Sequence, residues 1–316
     1  MTHRPGTAVP DLLTTISTES AHPPAPHALA LLAAIRARFG ADLYGVLYYG
    51  SCRRSTAPDG LLDFYVVIDG TTTLNRLEAW LLWLLPPNVY YVEVPFGAAR
   101  VRSKYTVVRL DSFLRGTSGR WFHSYLWGRF SQPTSIVWAR DAAAHAELVQ
   151  SLYRASIVFL RRVLPLVGDR FSAADLWLAG LTASYRTELR SERPEKLQRL
   201  YGDEAGYLDA VTAAGAPLCG YADPDAAASG YRNPLSATGR LPGRAAWRIR
   251  RVTGTLLSFL RILKSAYTFE GGLDYAVWKL ERQSGRRIVI PPYVRARPWR
   301  HAPGFFWRLY REGVFR

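Results

Sequence analysis

A Gly-Ser pair closes an apolar segment at Tyr49-Gly50-Ser51, and about a dozen residues on an acid stands near the start of a second, Leu61-Leu62-Asp63-Phe64-Tyr65-Val66-Val67-Ile68-Asp69. Those residue types at that spacing suit the binding of a nucleoside triphosphate. Glycine lets backbone N–H groups approach phosphate oxygens, serine adds a hydroxyl donor, and a carboxylate on the adjoining strand holds Mg²⁺ against the same oxygens. Gly50 and Ser51, with Tyr49 beside them, are the candidate triphosphate cradle, and Asp63 is the candidate metal ligand.

Nucleotidyl-transfer sites usually carry two carboxylates two residues apart, so that both point from one strand face toward the metal. Here the second position is Tyr65. Asp69 has the right parity, but six residues of strand put it about 20 Å from Asp63, and it reads as a turn residue before Gly70. A second acid must come from elsewhere, and Glu93 and Glu188 are the candidates. His3, His22, His27, His123, His145 and His301 show no metal-ligand spacing, and Ser51 lacks the Gly-x-Ser-x-Gly elbow of a hydrolase nucleophile.

The elements that would position these residues follow from pattern. Residues 1–24, with Pro23-Pro24-Ala25-Pro26 at their end, read as a flexible lead-in, and Ala28–Phe39 as the first helix. Tyr44–Tyr49, Phe64–Ile68, Val89–Val94 and Tyr105–Leu110 read as strands, and Leu74–Leu85 as a helix ended by Pro86-Pro87. Together they predict a mixed sheet with one face covered, a catalytic domain at 25–150. A mainly helical domain at 151–242 follows, with helices at Ala142–Val163, Ser172–Ser184 and Pro194–Tyr201 and a mobile loop over 215–242. The fold class expected is α+β: a nucleotidyltransferase-like mixed sheet with helices, then the helical domain and a basic C-terminal region at 243–316. In that region Arg244–Lys264 reads as a helix with Arg244, Arg248 and Arg251 on one face and Leu256, Phe259, Leu260 and Leu263 on another. Trp80, Trp83, Trp121, Trp127 and Trp138 are assigned to core packing.

The 316 residues carry a formal net charge of +16, almost all from arginine, since Lys104, Lys196, Lys264 and Lys279 are the only lysines. Residues 240–316 hold 17 Arg and Lys against Glu270, Asp274, Glu281 and Glu312, a net of +13. Such a surface seeks anions: phospholipid headgroups, nucleic acid or nucleotides. Cys52 and Cys219 cannot build a disulfide framework, which fits a reducing, cytoplasmic setting. No apolar run approaches the roughly 20 residues of a membrane span, and no signal-peptide pattern opens the chain, so contact with a membrane is expected to be peripheral.

Beyond the first motif, Val89-Tyr90-Tyr91, Lys104-Tyr105, Leu110-Asp111-Ser112-Phe113 and Gly128-Arg129-Phe130 with Pro133 resemble the catalytic domain of the mitochondrial-type phosphatidate cytidylyltransferases, or CDP-diacylglycerol synthases. The similarity continues through Leu164-Pro165, Phe171-Ser172 with Asp175-Leu176, Ser184-Tyr185 with Glu188, Arg190 and Lys196, and Tyr275-Ala276 with Lys279-Leu280, in collinear order over roughly 40–285. The chain departs from the family in Gly50-Ser51-Cys52, where Gly-Ser-Gly is usual, and in Thr187-Glu188, where Gly-Asp is usual.

The resemblance implies transfer of CMP from CTP to phosphatidic acid with Mg²⁺, giving CDP-diacylglycerol and pyrophosphate. It implies that Asp63 holds metal, that Lys104 neutralises phosphate charge, and that Tyr185, Glu188, Arg190 and Lys196 complete the pocket. A lipid acceptor in turn calls for docking on an anionic membrane surface, for which Arg297, Trp299, Arg300, Trp307 and Arg308 have the composition. Two alternatives stand beside this reading: a nucleotidyltransferase acting on RNA or another polar acceptor, and a diverged member that binds nucleotide or lipid without turnover.

Overall fold

Aromatic and β-branched residues commit Leu43–Tyr49 (β1) and Leu61–Ile68 (β2) to the middle of a sheet, because such side chains fit a pleated, buried surface. A computed structural model describes residues 11–50, 53, 61–97, 99–188, 193–221, 230–268, 277, 281 and 286–311. Before β1 come helices Leu12–Ser20 (α1) and Pro26–Phe39 (α2). After β2 come helix Arg76–Leu84 (α3), strands Asn88–Phe96 (β3) and Ala99–Arg109 (β4), helices Leu110–Thr117 (α4) and Trp127–Phe130 (α5), and strand Thr134–Ala139 (β5). The sheet order is β3-β4-β2-β1-β5, with β2 parallel to β4 and the other pairs antiparallel.

Both faces of the sheet are covered, where the sequence predicted one. Phe64, Val66 and Ile68 share a core with α2 and α3, while Tyr65 and Val67 join the core formed by the later helices. The reason is in β2 itself: both parities of the strand are apolar, so each side needs a cover.

The helical part consists of Ala142–Val163 (α6), the short strand Arg170–Phe171 (β6), Ala173–Thr187 (α7), Pro194–Cys219 (α8) and the short strand Tyr231–Arg232 (β7). A 28-residue helix, Leu241–Thr268 (α9), then leads to Pro292–Ala296 (α10) and Pro298–Arg311 (α11). Helix α6 runs unbroken through residue 150, and one hydrophobic cluster joins Tyr65 and Val67 of the sheet to Trp177 and Leu208 of the helices. The Ser172 capping box on Asp175 starts α7 as predicted.

Three expectations change. Residues 11–20 are not a lead-in: Asp11 caps α1 by accepting from the N–H groups of Leu13 and Thr14, and Leu12 and Ile16, one helical turn apart, are buried in the main core. The segment 215–242 is not a loop throughout, since α8 runs to Cys219. Within 230–240, Asn233 donates to the carbonyls of Leu164 and Gly168 and Arg240 to that of Val167. Trp127 is buried as expected, but Trp80 and Trp83 on α3 are exposed. No helix among the described residues is long and apolar enough to cross a membrane.

Candidate active site

Register brings the candidate residues into one row. Tyr49, the last residue of β1, pairs with Asp63 of β2; Asp63 pairs with Lys104 of β4, and Lys104 with Tyr91 of β3. Side chains alternate along a strand, so Tyr49, Asp63 and Lys104 share the face of Tyr65, Val67 and Val108, the face toward α5 and α7. Lys104 stands about 5 Å from Asp63, one strand away, and among the described residues no acid pairs with it.

Gly50 turns the chain at this row. Its φ of +86° is left-handed, and the N–H of Arg53 returns to its carbonyl at 3.1 Å. A Cβ on Gly50 would lie 3.5 Å from Asp63 Oδ2, so the turn and the acid are immediate neighbours. Arg53 fixes the far side of the turn: it pairs with Glu19 of α1 and lies 3.9 Å from Glu204 of α8. Ser51 and Arg190 lie outside the described residues.

Behind the row, Arg129 of α5 occupies a cage of tyrosines. It donates to Tyr49 Oη at 3.1 Å, pairs with Glu188 at 2.6 Å, and stacks on the rings of Tyr49, Tyr65 and Tyr125. Burial opposes its charge, but Glu188 and the tyrosines outweigh that and hold the guanidinium protonated well above its ordinary range. Burial raises the Tyr49 and Tyr65 phenols, so both remain neutral donors and acceptors. The place of a second carboxylate on β2 is thus held by Tyr65 against a cation.

Glu188, the residue that ends α7, is brought to the site, though its carboxylate is spent on Arg129. Tyr185 donates to Gln132 beside α5 at 3.3 Å. Lys196 is exposed in the first turn of α8, about two turns before Glu204. Glu93 lies on the same sheet face but pairs with Arg100 and Arg102, two strands over and two residues along from Asp63, about 12 Å away. Asp69, at the other end of β2, is held by Arg140 at 2.6 Å.

Among the described residues no cluster of three or more His, Cys, Asp or Glu could cage a metal ion. One carboxylate against a glycine turn fits Mg²⁺ that arrives on a nucleotide, since that ion keeps its waters and phosphate ligands and needs only one or two protein carboxylates. Sequence reasoning assigned no role to Arg129, Arg53 or Tyr125. A signal was present for the first: a lone arginine between Gly128 and Phe130, amid aromatics, with acids only at a distance in sequence.

No protein-family model matches the chain, and no curated protein sequence matches it. Among solved structures, it shows a likeness to a nucleotidyltransferase-like protein from Exiguobacterium sibiricum 255-15. The two are 8% identical, with a TM-score of 0.26, over 76% of this chain and 79% of the other.

Proposed function

We propose that the chain is a nucleotidyltransferase that moves CMP from CTP to the phosphate of phosphatidic acid. The observation that carries this is the placement of the Gly50 turn 3.5 Å, by its missing Cβ, from Asp63 Oδ2, with Lys104 in register on the next strand. The choice of CTP and of a lipid acceptor is supported by the collinear motif resemblance and by the basic surface.

In the reaction an acceptor phosphate oxygen attacks the α-phosphorus of CTP, and the bond from that phosphorus to the bridging oxygen breaks to release pyrophosphate. Asp63 would hold Mg²⁺, which supplies charge neutralisation on the triphosphate. Backbone N–H groups at the Gly50 turn position the phosphates, and Lys104 offsets the charge that builds on the leaving pyrophosphate. Arg129, paired with Glu188 and bonded to Tyr49, would fix the Tyr49 and Tyr65 rings behind the row, where the usual site has another carboxylate and metal.

The test is incubation of purified protein with α-labelled CTP, Mg²⁺ and either phosphatidate vesicles or RNA. Label in CDP-diacylglycerol, lost in Asp63→Asn, supports the proposal. Label in RNA instead would assign the second acceptor class, and no transfer to either, with nucleotide still bound, would mark a binding protein without turnover.

A further inference from the structure

Helix α9 is inverted relative to its composition. Toward the protein it turns cations: Arg250 is buried on the rings of Phe122, Trp127 and Trp247, and Arg261 stacks on Tyr125 and donates to the carbonyl of Pro86 at 2.9 Å. Toward solvent it turns hydrocarbon. Val252, Leu256 and Phe259, at helical spacing, are 72%, 59% and 57% exposed. Arg248 and Arg251, both exposed, lie beside that stripe, while Arg244 turns back to the Pro165 carbonyl.

Helix α3 repeats the pattern, with Trp80, Trp83 and Leu84 all more than half exposed. The segment directly after α3 meets the inner side of α9, where Arg261 and Lys264 bond to the carbonyls of Leu85, Pro86 and Pro87. The junction also abuts the candidate site, because the Tyr125 ring that carries Arg261 carries Arg129 as well.

We infer that the outer faces of α3 and α9 dock this protein on an anionic phospholipid bilayer. This rests on the lipid-acceptor reading above and names the surface that serves it. Exposed tryptophans beside arginines match the boundary between headgroups and acyl chains, where the indoles settle and the guanidiniums meet lipid phosphates. Charge argues against a second copy as the occupant, since two chains of +16 repel while an anionic surface attracts. The C-terminal helix expected to dock turns Phe305 and Leu309 inward onto Val294, and among its described aromatic side chains Trp307 is the exposed one.

The experiment is sedimentation of the full chain, without nucleotide, with vesicles of phosphatidylcholine alone or mixed with phosphatidylglycerol. Wild type is expected to bind the mixed vesicles, and Trp80→Ser/Trp83→Ser and Leu256→Ser/Phe259→Ser each to bind about tenfold or more weakly. Trp307→Ser is expected to bind within about threefold of wild type. These positions are exposed, so circular dichroism and thermal melting should match wild type. Transfer to a water-soluble short-chain acceptor should persist, which separates failure of the surface from failure of the chemistry. Wild type that ignores anionic vesicles, α3 and α9 variants that bind like wild type, a loss confined to Trp307→Ser, or a dimer in sedimentation velocity that these variants dissociate would each overturn the assignment.

Discussion

Strand β2 carries an aspartate near each end, and the two ends are furnished differently. At the Asp69 end the protein supplies every partner: Arg140 grips Asp69 with two N–H donors, and nearby Asp42 accepts from the Thr73 N–H and from the hydroxyls of Thr72 and Thr73. Hydrogen bonds from Arg140 lower the Asp69 carboxyl; burial works against Asp42, yet its donors from Thr73 and Thr72 still hold it below the usual range. At the Asp63 end the acid faces a left-handed glycine turn and a lysine that no acid pairs with among the described residues, while Arg129 and Glu188 are matched behind them. One end is a closed clasp. The other sets an acid and a lysine side by side against a glycine turn, the arrangement the proposed site uses.

The sharpest way to break this comparison is to neutralise both aspartates. Asp63→Asn is expected to lower transfer by about 10³-fold with little change in melting temperature, measured by labelled CTP turnover beside a thermal scan. Equal loss from Asp69→Asn would remove the distinction. Glu188→Gln leaves Arg129 buried against tyrosines without its counter-charge, and should cost about 3 kcal/mol of stability in a urea titration. Lys104→Met should slow transfer by about 10²-fold while the fold stays intact, and unchanged pyrophosphate release would dismiss Lys104 from the row.

The smallest effect is expected at the clasp. Asp69 and Arg140 are about one-third exposed, so Asp69→Asn should cost about 0–1 kcal/mol. Both clasp carboxyls have folded values below their unfolded ones. Their contribution is therefore complete above the ordinary carboxylate range and lost as pH falls from about 4 downward. Urea midpoints taken from neutral to acid should show that decline flattened in Asp42→Asn.

Much of the site's first row was legible because it depends on local signals: a glycine after a strand, an acid near the start of the next, and a rare lysine. Adjacency then followed from strand register. What sequence did not reveal depends on contacts across the chain. Arg129 meets Glu188 59 positions away, and Arg53 meets Glu19 through a helix whose Ser- and Thr-rich sequence gives little helical signal. Helix α9 misleads for a different reason. Periodicity finds its apolar stripe but not the direction it faces, and here aromatic cages draw arginine inward and leave leucine outside. The same ambiguity sent Trp80 and Trp83 to the core on paper.

Gly254 sits where α9 crosses the end of α7. An added methyl there would meet the Thr187 carbonyl oxygen at 2.8 Å, and Thr187 is joined by one peptide bond to Glu188. Movement of α9 is therefore passed toward Glu188 and Arg129 at this approach, where Ser258 Oγ also donates to the Thr187 carbonyl at 3.4 Å. If the proposed docking of α9 on lipid holds, we expect turnover to vary with acyl-chain packing in vesicles of equal charge. Gly254→Ala, by wedging the two helices apart, should flatten that dependence.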